Sequence, residues 1–215
     1  HSYRYTNPET RQALAEVTHA VVAPLGPALL QIPDPLAEVA VLQSFTSTVF
    51  GTTATWGWGN GWMADVYLAL QWARLQPRVL YEEAILRDGL DGLRVLVLPD
   101  CPVLPRGVCD RILAFQREGG VVVADSRLAK AITPDILMSQ PKAAGAPDLR
   151  KASLQALGEQ LRQELAPVLA WQADSSDPDM IVRRRQYGDA EYLFAVNDKR
   201  TYGDYVGHHR LVMEK

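Results

Sequence analysis

The sequence predicts an α/β fold built on a parallel sheet, and three features predict it. Short apolar runs, Val39-Ala40-Val41-Leu42, Val95-Leu96-Val97-Leu98 and Val121-Val122-Val123-Ala124, have the composition of strands buried on both faces. Helical patterns separate them, so strand and helix alternate along the chain. Each crossover must return to the same edge direction, which makes the strands parallel and the connections right-handed. A length of 215 residues, 47% hydrophobic and 22% charged, suits one main buried core with an appendage.

Thr6-Asn7-Pro8-Glu9 reads as a helix start, with a capping residue, a proline at the first helical position and an early carboxylate. Leu14, Val17, Val21, Leu25 and Leu29 follow at helical spacing, and Pro24 and Pro27 are expected to divide the segment into two pieces. After the first strand at 39–42, Thr46 to Gly61 is rich in Thr, Gly and Trp and reads as a long connection. Asn60 is placed to cap the next helix, marked by Trp62, Val66, Leu70 and Ala73. Arg78-Val79-Leu80-Tyr81 is the second strand, and Asp88-Gly89 and Asp91-Gly92 punctuate the return to the third at 94–98. A helix through Val108, Ile112 and Phe115 closes at Gly119-Gly120 before the fourth strand. Residues 139 to 153 read as an exposed connection, followed by an amphipathic helix through Leu154, Leu157, Leu161, Leu165 and Val168. Segments 180–187 and 191–197 around Gly188-Asp189 predict an antiparallel hairpin.

Composition narrows the partners. A net charge of -3 supplies no basic field for a phosphate backbone, and no stretch approaches the roughly 20 apolar residues of a membrane span. Neither nucleic acid nor a membrane is expected. Arg183-Arg184-Arg185 lies in a strand, where alternation sends neighbours to opposite faces, so a solvated face is expected there. Cys101 and Cys109 make neither a disulfide framework nor a zinc site, and His208-His209 has no further ligand at metal spacing, so no metal and no cofactor is expected. A first residue His1 in place of an initiating Met, and an end at Met213-Glu214-Lys215 soon after strand-like sequence, fit a piece of a larger protein.

In open parallel sheets ligands bind beyond the carboxyl ends of the strands. The residues there are Ser44 to Thr48, Glu82 and Glu83, Asp100 and Cys101, and Asp125 and Ser126. Glu82 and Glu83, read as neighbours on a strand, would face opposite ways and not share a site. Cys101 could be an activated thiol only with a lowered pKa and a nearby base, and Pro102 removes an amide donor beside it, which favours a structural role. Trp56, Trp58, Asn60 and Trp62 could form an aromatic wall or pack the loop onto the protein. The candidate ligand-binding set is therefore Trp56, Trp58, Asn60, Trp62, Glu82, Asp100, Asp125 and Ser126, with no residue assigned as catalytic.

The run from Glu38 to Ile132 resembles the class I glutamine amidotransferase-like domain, in the degenerate form found as the β-galactosidase trimerisation domain. The resemblance rests on Val39-Ala40-Val41-Leu42, Glu82-Glu83, Gly89-Leu90 before Val95-Leu96-Val97-Leu98-Pro99, and Phe115 through Gly119-Gly120-Val121-Val122-Val123. True amidotransferases carry Gly-x-Cys-x-Gly after the fourth strand and a later His-x-Glu. Here the elbow reads Ala124-Asp125-Ser126-Arg127 and His-x-Glu does not occur, so glutaminase chemistry is not implied. The resemblance implies a flavodoxin-like three-layer α/β fold with helices on both faces of the sheet, plus a C-terminal antiparallel β hairpin. Together with the helical reading of the first residues, this divides the chain into a helical segment at 1–36, the amidotransferase-like α/β domain at 37–172, and a β extension at 173–215 expected to start a following β domain. The expected role is a non-catalytic accessory or oligomerisation domain of a glycoside-hydrolase-like protein. Its partners would be other domains of the parent chain, further copies of itself, or carbohydrate. The alternatives are a small hydrolase using Asp100, Cys101 or Ser126, and a carbohydrate-binding module using the Trp56–Trp62 loop.

Overall fold

The alternation of the apolar runs divides their side chains between two helical layers. In the computed structural model, which describes residues 8–33, 37–51, 61–141, 147–198, 201–203 and 210–212, strands β1 (Val39–Gln43), β2 (Arg78–Tyr81), β3 (Val95–Leu98), β4 (Val121–Ala124) and β5 (Ile136–Leu137) form one sheet. Its order is β2-β1-β3-β4-β5, and every pairing is parallel. This is the expected three-layer α/β fold. Val39, Val41, Val95, Val97 and Val123 face one cluster, with helices α4 (Gly61–Trp72) and α7 (Pro147–Leu165). Ala40, Leu42, Leu96, Leu98, Val122 and Ala124 face the other, with α5 (Glu82–Asp88) and α6 (Arg106–Arg117). Valines thus line one side, and leucines and alanines with Val122 the other. Burial on both faces explains why these strands lack polar alternation.

Two glycines answer local geometric demands. Gly119, with φ of 93°, ends α6 in a left-handed conformation that turns the chain into β4. A Cβ on Gly158 would lie 2.5 Å from the carbonyl oxygen of Ala69, so only glycine lets α7 approach α4 so closely. Beyond α7, Trp171 donates its indole N–H to the Ala73 carbonyl at 2.7 Å. Arg74 donates to the carbonyls of Ser175 and Asp177 at 3.0 and 2.8 Å. Arg162 forks onto Asp174 at 3.0 and 2.6 Å, and its bond holds that carboxyl below the ordinary aspartate range. Lys151 reaches Asp179 and the Asp198 carbonyl, each at 2.6 Å.

Several elements depart from the sequence expectations. Helices α1 (Pro8–Val17) and α2 (Ala23–Leu29) are not separated by the prolines: a π-helical turn, Thr18–Val22, joins them with helical backbone angles on both sides. The Ala23 N–H bonds the Thr18 carbonyl, five residues back, and this shifted register carries the helix up to Pro24, which has no N–H to place. The connection after β1 contains a helix, α3 (Phe45–Phe50), because Ser44 caps it. Glu82 and Glu83 open α5 instead of extending β2. Helix α7 begins at Pro147, within the segment expected as loop, since a proline costs nothing at the first helical position. Strand β5, only two residues long, left no periodicity to read.

The chain groups into two compact units, His1–Pro35 with Arg184–Leu193, and Leu36–Arg183 with Phe194–Lys215. In the first, Arg185 donates to the Ile32 carbonyl at 3.4 Å and Arg184 pairs with Glu191. The predicted hairpin is present as β6 (Met180–Tyr187) and β7 (Ala190–Asn197), a separate two-stranded sheet. The basic run 183–185 is thus distributed over separate partners, with Arg183 bonding the Tyr67 hydroxyl at 3.4 Å in the second unit. Strands β8 (Thr201–Gly203) and β9 (Arg210–Val212) pair antiparallel. Thr6, Asn7, Trp56, Trp58, Asn60, His208 and His209 lie outside the described residues.

Candidate functional site

The parallel sheet brings the residues that follow β1, β2, β3 and β4 to one end. Two buried carboxylates organise it. Glu82, 5% exposed, begins α5 directly after β2. Its Oε1 accepts the Ser44 hydroxyl at 2.5 Å and its Oε2 accepts the Thr46 hydroxyl at 2.6 Å. Ser44 Oγ also accepts the Ser47 N–H at 2.8 Å, which starts α3. Ser47 in turn donates its hydroxyl to the Val103 carbonyl at 2.5 Å and accepts the Val103 N–H at 3.2 Å. One carboxylate and two serines therefore tie β1, α3, α5 and the loop after β3 together.

Asp125, 6% exposed, follows β4 in the elbow. Its Oδ2 accepts the Trp62 indole N–H at 2.7 Å and the Asp100 N–H at 2.8 Å, and its Oδ1 accepts the Arg127 N–H at 2.8 Å. Asp100 has φ of 49°, a left-handed angle that aspartate tolerates better than most residues and that aims its amide at Asp125. The Asp100 carboxylate pairs with Arg127 Nε at 2.6 Å. Both oxygens of Asp125 are occupied by donors from α4, the β3 turn and its own elbow.

The nucleophile candidates differ sharply. Cys101 is fully buried, and its thiol points to the Pro99 carbonyl at 3.4 Å. Burial, and then the charges of Asp125, Asp100 and Glu82, push that thiol far above its ordinary pKa, the reverse of what an activated cysteine needs. Cys109 is buried on α6, and its thiol is raised chiefly by burial. Ser126 is exposed at the elbow, and among the described residues of this unit there is no histidine to serve it as a base.

The structure thus brings together Trp62, Asp100 and Asp125, with Ser126 beside them and Glu82 in a separate network. Glu83 is exposed, apart from Glu82 because successive residues on a helix diverge. Ser44, Thr46 and Arg127 complete the two networks but were not among the candidates. A Ser-x-x-Ser cap signature at 44–47 could have indicated the first. At the amino end of the sheet a cavity of about 510 Å³ is lined by Gly89–Arg94, Arg111, Phe115, Glu118 and Gly119-Gly120. Its charged groups are exposed, and it lies at the end opposite the one where ligands of open α/β sheets bind.

No protein-family model matches this chain, and a search of curated proteins finds no match. Among solved structures, the GH42 β-galactosidase Gan42B aligns over 96% of this chain and 42% of its own, at 14% identity and a TM-score of 0.61. A β-galactosidase from Rahnella sp. R3 aligns over 56% of this chain and 18% of its own, at 22% identity and a TM-score of 0.45. A GH42 exo-carrageenase from Bacteroides ovatus aligns over 75% and 23%, at 15% identity and a TM-score of 0.43. This chain spans less than half the length of each of them. At these identities the likeness concerns the fold, and the first alignment carries it: this α/β architecture is shared with part of a GH42 β-galactosidase.

Proposed function

We propose that this chain is a glycoside-hydrolase-related domain of the degenerate amidotransferase type, acting as a non-catalytic accessory or oligomerisation module of a larger protein. The observation that supports it most is that the two buried acids at the carboxyl end, Asp125 and Glu82, have both oxygens bonded within the chain. Asp125 accepts three donors and Glu82 two hydroxyls, all from this chain. A general acid or base needs an oxygen free to exchange a proton with substrate, and a ligand site needs unoccupied donors or acceptors. The likeness to part of Gan42B supports the glycoside-hydrolase connection by analogy of fold.

Trp62 is 5% exposed with its indole N–H bonded to Asp125, so a sugar platform would rest on the remaining loop residues. The hydrolase alternative narrows to Ser126, since Cys101 is buried and protonated. The test is turnover of aryl β-galactosides and aryl esters by this chain and its Ser126→Ala variant. Neither protein is expected to exceed the buffer rate. Turnover by the wild type that Ser126→Ala removes would overturn the non-catalytic reading.

A further inference from the structure

The charged side chains around the amino-end cavity have hydrogen-bonding capacity that the fold does not use. Asp91 and Arg94 come from the turn that leads into β3, and Arg111 and Glu118 from α6 and its C-terminal cap. Among the described residues, the side chains of Asp91, Arg111 and Glu118 make no hydrogen bond or ion pair, and Arg94 has only Glu38, at 3.9 Å. The space they surround, about 510 Å³, falls within the roughly 300 to 1,000 Å³ of small-molecule sites. Leu93, Phe115 and Val168 give it an apolar wall, and four of its lining residues are glycines, which put no side chain into it.

The balance of these groups selects the ligand. Two guanidinium groups can only donate, and two carboxylates can only accept. A phosphate or a dicarboxylate would be repelled by Asp91 and Glu118, and a cation by Arg94 and Arg111. A small zwitterion would answer one guanidinium and one carboxylate and leave the other pair unmet. A neutral polyol answers all four, because each hydroxyl both donates and accepts, and the C–H faces of a sugar ring suit the apolar wall. The carboxyl-end rule for open sheets describes the crevice at a reversal of strand order, whereas this hollow is built by one turn and one helix. We propose that the amino-end cavity is a non-catalytic binding site for a neutral saccharide, held by Asp91, Arg94, Arg111 and Glu118. This rests on the reading of the chain as a glycoside-hydrolase-related accessory module and names a ligand class for it. The four groups are hydrated when the site is empty, so the affinity is weak, with Kd on the order of 1 mM.

Amide NMR spectra of this chain, titrated to about 50 mM with lactose, cellobiose or maltose and separately with inorganic phosphate, test this. At least one disaccharide is expected to shift the amides of residues 89–94 and 111–120 saturably, and phosphate to leave them in place. Arg111→Ala and Glu118→Gln are each expected to weaken that binding about tenfold with an unchanged unfolding midpoint, since neither side chain has a partner to lose. No saturable shift at these amides with any of the three sugars overturns the site. A response to phosphate there overturns the ligand class, and sugar shifts confined to the Trp56–Trp62 loop overturn the location. Binding that both variants retain in full overturns the assignment of these side chains. None of these results bears on the turnover assay, so the non-catalytic accessory reading stands or falls separately.

Discussion

At the carboxyl end of the sheet Asp125 and Glu82 are buried and bonded on both oxygens, whereas at the amino end Asp91, Arg94, Arg111 and Glu118 lie exposed around a cavity of about 510 Å³. The first end has the polar residues expected of a ligand site, and its two buried carboxylates spend both oxygens on donors of the chain itself. The second has open space and charge, but its groups are solvated. A cluster of acids therefore marks a site only when its hydrogen-bonding capacity is left over. At the carboxyl end that capacity holds α3, α4, β3 and the elbow in register.

The contrast is testable by substitution. The largest effect is expected for Asp125→Ala, which strands the Trp62, Asp100 and Arg127 N–H groups and should cost about 3 to 4 kcal/mol in urea unfolding. Glu82→Ala is expected to cost about 2 kcal/mol, because the freed Ser44 and Thr46 hydroxyls can rotate toward other acceptors and the one backbone donor, the Thr46 N–H, is held at a long 3.4 Å. Equal losses from the two would show that the donor type does not matter. Next is Asp174, whose folded pKa is depressed chiefly by its Arg162 bond. Stability from that bond is present above the unfolded aspartate pKa of about 4 and is lost as pH falls through the lower folded value. The group is 54% exposed, so after solvent screening Asp174→Asn should cost only about 0.5 kcal/mol at pH 7, and progressively less as the pH falls below the unfolded value. At the amino end, Glu118→Ala should change stability by less than about 0.5 kcal/mol. A larger loss there would mean that the exposed end also carries structural load.

Cys101 sharpens the same comparison through reactivity. Burial raises its folded pKa, so stability tied to the protonated thiol is present below the unfolded value of roughly 8.5 and is lost as pH rises above it. Alkylation at pH 8 is expected to be undetectable in the native protein and complete in urea.

The sheet was legible because its strands are short apolar runs separated by glycine and proline punctuation, as at Gly119-Gly120 before β4. Less legible was anything that depends on a side chain's partner. Ser44 reads as one polar residue among several, and the bond from the Ser47 amide is what distinguishes it as the cap. Glu82 and Glu83 read as a strand end because the helix they begin has just seven residues. The bond from Trp62 to Asp125 crosses 63 positions and has no signature in either neighbourhood. The candidate site was located by topology, since the carboxyl end of a parallel sheet is a geometric consequence of strand order. Its saturation was not, because sequence records donors and acceptors without recording which meet.

Urea unfolding of Asp125→Asn against the wild type tests the central claim most directly. The amide keeps the size of the carboxylate but turns an N–H₂ toward at least one N–H donor. If Asp125 is a structural acceptor the variant should lose about 2 kcal/mol. A gain in stability would contradict the account, because relief on removal is the behaviour of a residue kept for chemistry at the expense of the fold.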